Sequence, residues 1–341
     1  MSSAPVTLGS LFDQAGIEPL YIHLGREISR CDHATFEAFE TQQAPWPSPW
    51  QQRAHLGIVF ELEGATASTT VVWFLAFPLD EQGFLDPAMR DGFIHRLLHT
   101  LGQQPLDTLA ASEEVVPLMK DNPLAFEPSD LSLALFHALV ARAQHRPASS
   151  HCEMAEAYFN GSMPDRHWEV LGWQGVADYV IRRDGASERH LATRLDTLPD
   201  PALVALNACL EFCPPLSGEL IEALKQQSVS ASSSEVRQSC LRAGLASARP
   251  EAAEWANDLL EKTSVDDETL AVFAVRGWHH LEHETRLHRF LDQLSKSSTL
   301  DMAQWLKSLA LLPRLRLPLL MMLKNAPDDS LLARRLDQLT M

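Results

Sequence analysis

Two strongly β-forming runs facing each other across a turn, in RAHLGIVFELEGATASTTVVWFLAFPLD from Arg53 to Asp80, constrain this chain more than any other stretch. Leu56, Ile58, Phe60 and Leu62 alternate with Gly57, Val59 and Glu61, the period-two pattern of a strand with one wetter face. Val71 to Phe77 is a nearly unbroken apolar run, which predicts a second strand covered on both faces. The joining segment, Glu63 to Thr70, holds Gly64 and small polar residues and suits a turn looser than a two-residue hairpin. Pro78 withholds the next ladder amide and ends the strand.

Strand patterning occurs once more, in Pro19 to Arg30, where PLYIHLGREISR predicts a third strand of the same sheet with Gly25 as a bulge or bend. A short helix is expected at 10–16, and a second at His33 to Gln42, capped by Asp32 and presenting Phe36 and Phe39 on one face. Pro45 to Arg53 (PWPSPWQQR) cannot be helical and reads as an extended path bearing Trp46 and Trp50, either as a recognition surface or lying over their own domain. After the hairpin, Asp86 as N-cap and Pro87 at the first helical position begin a helix to Leu101. Its Met89, Phe93, Leu97, Leu98 and Leu101 should cover the sheet. Residues 105–128 contain four prolines, Pro105, Pro117, Pro123 and Pro128, and read as a connecting segment with one short helix near 106–111.

From Ser129 onward only helical spacing remains. Leu131, Leu135, Ala138 and Leu139 mark one helix; Trp168, Leu171, Val176, Tyr179 and Val180 mark another after Asp165. Leu195, Leu224, Leu260, Leu294 and Leu323 then recur at spacings of 29, 36, 34 and 29. A helix precedes each of the last four, at 202–212, 235–247, 268–281 and 301–312, with capping-box spacing at Ser232/Glu235 and Ser298/Asp301. Two helices per 30 to 36 residues predict a helical repeat of the HEAT or armadillo kind, with an irregular bundle as the alternative. The expected fold is therefore α+β: a small antiparallel sheet unit with a covering helix (1–104), a connector (105–128), and an all-α repeat-like domain (129–341).

The segments LGREISRCD, PWPSPWQQRAHLGIVF and VVWFLAFPLDEQGFLDPAMRD resemble those of a family of full-length bacterial proteins of about this size, domain of unknown function 3549. The resemblance covers the whole chain. It implies no activity, because the family has no established one to carry over to any residue.

Charge narrows the function classes. The net charge of -17 is concentrated in residues 1–170, with 9 Lys and Arg against 22 Asp and Glu, while 171–341 holds 19 against 23. A field of that sign repels phosphate backbones and anionic lipid, so neither nucleic acid nor membrane is an expected partner. The most basic stretch is the end, where Arg314, Arg316, Lys324, Arg334 and Arg335 outnumber Asp328, Asp329 and Asp337; ordinary solvated helix faces explain it most simply. No secretory leader or spanning apolar run is evident, which makes the cytoplasm the expected compartment. Five scattered cysteines, Cys31, Cys152, Cys209, Cys213 and Cys240, fit reduced thiols rather than a disulfide framework.

Three constellations bear on chemistry. In WHHLEHETRLH, His283 and Glu284 are followed by His288 at five residues rather than four, so the zinc-protease helix pattern fails. His279 or His280 with His283 offers two ligands at most. Cys209 and Cys213 are four apart, not a CxxC, and read as small buried hydrophobes. Asp80, Glu81, Asp86 and Asp91 cluster at a strand end, where turn and cap roles are the simplest explanation. The sequence thus assigns no catalytic, cofactor-binding or metal residue and no cofactor. It predicts a protein-interaction or scaffold protein using its helical surface, with a protein partner of basic character. The alternative is an enzyme or small-molecule binder with its site where Pro78 to Asp91 meets the helical domain.

Overall fold

The computed structural model describes residues 6–63, 68–101, 119 and 122–340. It divides the chain into two compact units, 1–132 and 133–341. The turn at 64–67 and the helix expected at 106–111 lie outside the described residues, as does most of the 105–128 segment.

The first unit is a four-stranded antiparallel sheet in the order β2-β1-β3-β4, made of β1 (Leu20–Leu24), β2 (Ile28–Cys31), β3 (Arg53–Glu63) and β4 (Ser68–Pro78). The single strand expected at 19–30 is thus a hairpin. It turns at Gly25, Arg26 and Glu27, and the buried Arg26 donates from Nε to the Pro49 carbonyl at 2.8 Å. In β3 and β4, Ile58 sits opposite Trp73, Leu56 opposite Leu75 and Ala54 opposite Phe77. That register puts all six on one face.

Three helices cover this face: α1 (Leu8–Ala15), α2 (His33–Glu40) and α3 (Pro87–Leu101). Each starts at a residue that accepts the orphan amides of a first turn: Thr7 from Ser10, Asp32 from Thr35, Asp86 from Ala88. Aromatic rings join the layers, Phe12 to Phe60 at 5.0 Å, Phe60 to Trp73 at 4.8 Å and Trp73 to Phe93 at 5.7 Å. α3 turns Phe93, Ile94 and Leu97 inward and leaves Leu98 exposed, a rotation of the face that the spacing suggested.

The expected wetness of the two strands is reversed. β3 runs between two neighbours and is buried almost throughout from Ala54 to Phe60, whereas β4 exposes Val72 and half-exposes Val71 and Phe74. The outer edge of β4 is paired by residues 124–126: Ala76 donates to the Leu124 carbonyl and Phe126 to that of Phe74. Phe126 then lies edge-on to His55, at 4.9 Å, and to Phe74.

The second unit is helical throughout its described length. It begins with α4 (Asp130–Ala143), α5 (Cys152–Phe159), α6 (Trp173–Arg182) and α7 (Gly185–Ala192). The helix expected after Asp165 is a short 3-10 segment, Asp165–Val170, followed separately by α6. There follow α8 (Asp200–Leu210), α9 (Gly218–Ser230), α10 (Ser234–Leu245), α11 (Pro250–Leu260), α12 (Asp267–Val275), α13 (Glu284–Lys296), α14 (Met302–Ala310), α15 (Pro313–Lys324) and α16 (Leu331–Thr340).

These helices pack in two rows. α6 lies on α8, α8 on α10 and α10 on α12; α7 lies on α9, α9 on α11, α11 on α13 and α13 on α16. Side chains tie members of a row at nearly constant separation. Asn207 bonds Ser239, Arg242 bonds Glu211, Lys225 bonds Asp258, Arg289 bonds Glu261 and Gln293 bonds the Lys262 carbonyl, residues 28 to 33 apart. Leu195, Leu224, Leu260 and Leu294 are buried at the row contacts, while Leu323 is only half-buried.

Two local expectations shift. The caps are Ser233, which accepts from Val236, and Asp301, which accepts from Gln304, in place of Ser232 and Ser298. The helix expected over 268–281 stops at Val275: Arg276 turns inward to Glu211, and Gly277 passes so close to Leu245 and Phe273 that a Cβ would lie 3.4 and 3.3 Å from them. A 3-10 turn, Trp278–Glu282, carries the chain into α13.

Candidate functional site

The last turns of the helical unit leave apolar side chains uncovered. In α15, PRLRLPLLMMLK, Pro313 starts the helix at a position where its missing amide costs nothing, and Leu315 and Leu319 bury one stripe. Leu317, Leu320 and Met321, on the other side, remain 66%, 46% and 54% exposed. These three neighbouring side chains form an uncovered apolar patch, flanked by Arg314, Arg316 and Lys324 of the same helix. Between α13, α15 and the start of α16 runs a groove of about 770 Å³. Leu291, Leu317, Met321, Met322 and Leu332 supply its apolar lining, and the methionines are side chains that repack around varied occupants.

The polar part of the lining has one sign. Glu282, Glu284 and Asp292 stand along the α13 side with His288, and among the described residues no lysine or arginine lines the groove. Asp292 holds Lys296 at 2.9 Å and Glu282 lies 3.7 Å from Arg314, both partners outside the lining. The second carboxylate oxygen of Glu282, Oε1, is buried with no hydrogen-bond partner among the described residues. The groove therefore offers a greasy floor and a negatively charged wall.

The residues singled out from sequence are placed elsewhere. His279 and His280 sit on the 3-10 turn with ring centroids 4.2 Å apart, and His283 precedes α13, so the helical spacing that would join His283 to either is absent. Burial pushes both imidazoles below the ordinary histidine range, His280 to about 3, with His279 and Arg286 adding to the effect on His280. Cys209 and Cys213 are buried free thiols, and burial raises both. Among the described residues no group of three or more His, Cys, Asp or Glu is placed to hold a metal ion. Asp80 Oδ1 accepts from the amides of Gln82 and Phe84, Asp86 caps α3, and Asp91 pairs with Arg90 at 2.6 Å, which accounts for three of the four acids as turn, cap and ion-pair residues. Trp46 is buried against His23 and Phe39, and Trp50 lies under the Arg26 guanidinium at 5.4 Å.

Residues 5–340, nearly the full length, match the model of a family described as a protein of unknown function, DUF3549. The chain belongs to that family. Neither the curated proteins nor the solved structures give a match. In this DUF3549 chain, no helix among the described residues is long and apolar enough to cross a membrane.

A second, polar cavity of about 330 Å³ lies among α5, α6 and α7, lined in part by Tyr179, Arg182, Arg183 and Ser187. Its donors are mostly committed. Arg183 binds Glu188 and three main-chain carbonyls, and Ser187 is held by Asp184, which already caps α7. The groove residues of this DUF3549 member were missed in the sequence although a signal was there. From Leu315 to Leu323 only Arg316 and Pro318 interrupt the apolar residues, more than one buried stripe requires.

Proposed function

We propose that the protein is a protein-interaction module whose docking site is the groove between α13, α15 and α16, and that its occupant is an amphipathic, basic helical segment of a partner protein. The groove carries this reading: an apolar floor with exposed Leu317 and Met321 beside three carboxylates, of which Asp292 and Glu282 face Lys296 and Arg314 outside the lining and Glu284 has no ion pair among the described residues. Helix-in-groove recognition uses apolar anchors at helical spacing, and a carboxylate wall selects lysine or arginine on the flank. The scaffold is a helical repeat of the HEAT or armadillo kind, a reading supported by the two rows of helices and by row bonds 28 to 33 residues apart.

Titration of the full chain with labelled helical peptides tests this. A Leu/Lys amphipathic peptide should bind, with affinity falling as salt rises, and a Leu/Glu peptide of the same pattern should bind at least about tenfold more weakly, about 1.4 kcal/mol. Changing Leu317 and Met321 to Asn should weaken the Leu/Lys peptide by a further factor of about ten or more, since each side chain loses on the order of 1 kcal/mol of apolar burial. Equal binding of both peptides, or no effect of the two substitutions, would reject the site.

A further inference from the structure

α16 is unlike every other α-helix of its unit. Leu332 and Leu336, four apart, share one face and are half-buried, while Leu331, Arg334, Asp337 and Gln338 are exposed. Yet none of residues 331–338 is buried, while each of the other α-helices here buries at least two side chains. It rests on α13, the helix that carries Glu284 and Asp292 of the groove's acids, and its Leu332 lines the groove. Its own cap is local: Ser330 Oγ accepts from the Ala333 amide, and Arg334 reaches back to the Asp329 carbonyl at 2.7 Å. A ten-residue helix held by so little burial has scarcely any stability of its own. Elements of that kind open first, by local unfolding, without disturbing the rows beneath.

We infer that α16 is a displaceable cover over one side of the docking site, and that the partner's helix carries the pattern α16 itself carries: leucines four apart with adjacent arginines between them. This rests on the groove reading and deepens it. The chemistry agrees at both ends. The seat is apolar with a wall of Glu282, Glu284 and Asp292, and α16 brings Leu332 into it and carries Arg334 and Arg335 two and three residues further on. A partner that buries its leucines fully, over Leu317 and Met321 as well, outcompetes a helix that leaves Leu331 exposed and Leu332 and Leu336 only half-buried. The apparent affinity for a partner is lowered by the fraction of molecules in which α16 is seated.

The test uses the full chain and a labelled peptide of residues 328–341. Leu336→Pro places a proline in the middle of α16, which breaks the helix without changing a residue that lines the groove. The peptide should bind Leu336→Pro at least tenfold more tightly than wild type, and adding Met321→Asn should remove the gain. Amide hydrogen exchange on the wild type gives an independent reading: amides 334–338 should exchange at least a hundredfold faster than those in the middle of α13. Equal peptide binding by wild type and Leu336→Pro, or slow exchange in α16 matching α13, overturns the cover. If a Leu/Lys peptide still binds wild type in that event, the docking groove itself stands; if no peptide binds any variant, both readings fall. A wild-type dimer that becomes monomeric on Leu336→Pro would assign the seat to a second copy of the chain and overturn the proposal as well.

Discussion

Removing the Glu211 carboxylate should cost more than removing either arginine that it holds. Glu211 ends α8, and its Oε1 accepts from Arg276 Nε and Nη2 at 3.2 and 2.9 Å while Oε2 accepts from Arg242 Nε at 2.6 Å. One carboxylate thus links three successive helices of a row. The Arg276 side chain is only 8% exposed and its guanidinium lies 3.8 Å above the Phe212 ring, so burial pulls its pKa down and the nearby carboxylate opposes that. With Ala at 211 the Arg276 charge stays buried without its anion, a loss on the order of 3 to 5 kcal/mol. With Met at 276 the carboxylate keeps Arg242, itself a third exposed, and the loss should be about 1 to 2 kcal/mol. The double change Glu211→Met/Arg276→Met should fall short of the sum of its single changes by about 1 to 3 kcal/mol. Denaturant unfolding of the full chain, following the helical unit by its tryptophans, measures all of these. For a unit of this size, the Ala variant should lower the midpoint temperature by roughly 6 to 20 °C. A Glu211→Ala protein within about 1 kcal/mol of wild type, or one more stable than Arg276→Met, would refute the argument.

Stability should fall as pH drops from about 6.5 toward 4, because burial holds His23 and His55 at about 4 and His280 at about 3. The unfolded chain takes up those protons first, near the ordinary histidine value of ~6.5, at up to about 1.4 kcal/mol per pH unit for each group. Unfolding free energies at pH 7 and 5 should therefore differ, and His280→Asn should flatten the difference; an unchanged slope would contradict the assignment. Glu40, whose carboxyl is raised mainly by burial, works the other way as acid is added, since the folded chain binds that proton first. Gly244→Ala should destabilise by about 1 to 3 kcal/mol, because a Cβ there runs into the Trp255 ring of the neighbouring helix. Gly92→Ala, on an exposed helical position with nothing within 4 Å, should instead stabilise by roughly 0.5 to 1 kcal/mol, and thermal midpoints of the two variants check the contrast.

The parts of the fold that follow from local chemistry were legible. Alternation paired β3 with β4, Asp32 and Asp86 announced their helices, and the loss of strand pattern beyond residue 80 marked where helices take over. What depended on distant partners was not. Val71 to Phe77 looked like a central strand because its residues are apolar, but centrality is conferred by β1 pairing with β3, a choice no window around residue 71 contains. The hairpin at Gly25 to Glu27 lacks the usual Asn-Gly turn signal, and its Arg26 is held by a carbonyl 23 residues away. Ser232, Ser233 and Ser234 offer nearly equivalent caps, and only the geometry selects Ser233. The groove needed both kinds of information: the apolar run from Leu315 to Leu323 is masked in the sequence by the basic residues around it, and only the placement of α13 and α16 shows that its far side stays open beside three acids.

The most direct measurement of the central claim is a methyl spectrum of the full chain labelled at its nine methionines and titrated with the Leu/Lys amphipathic peptide. Met321 and Met322 line the groove, whereas Met302 is buried in α14 and Met154 lies exposed on α5. Binding in the groove should shift the Met321 and Met322 methyl resonances saturably and leave those of Met154 and Met302 in place, with the shifts diminishing as salt is raised. Saturable binding that moves Met154 and spares Met321 and Met322 would place the docking surface elsewhere and contradict the account.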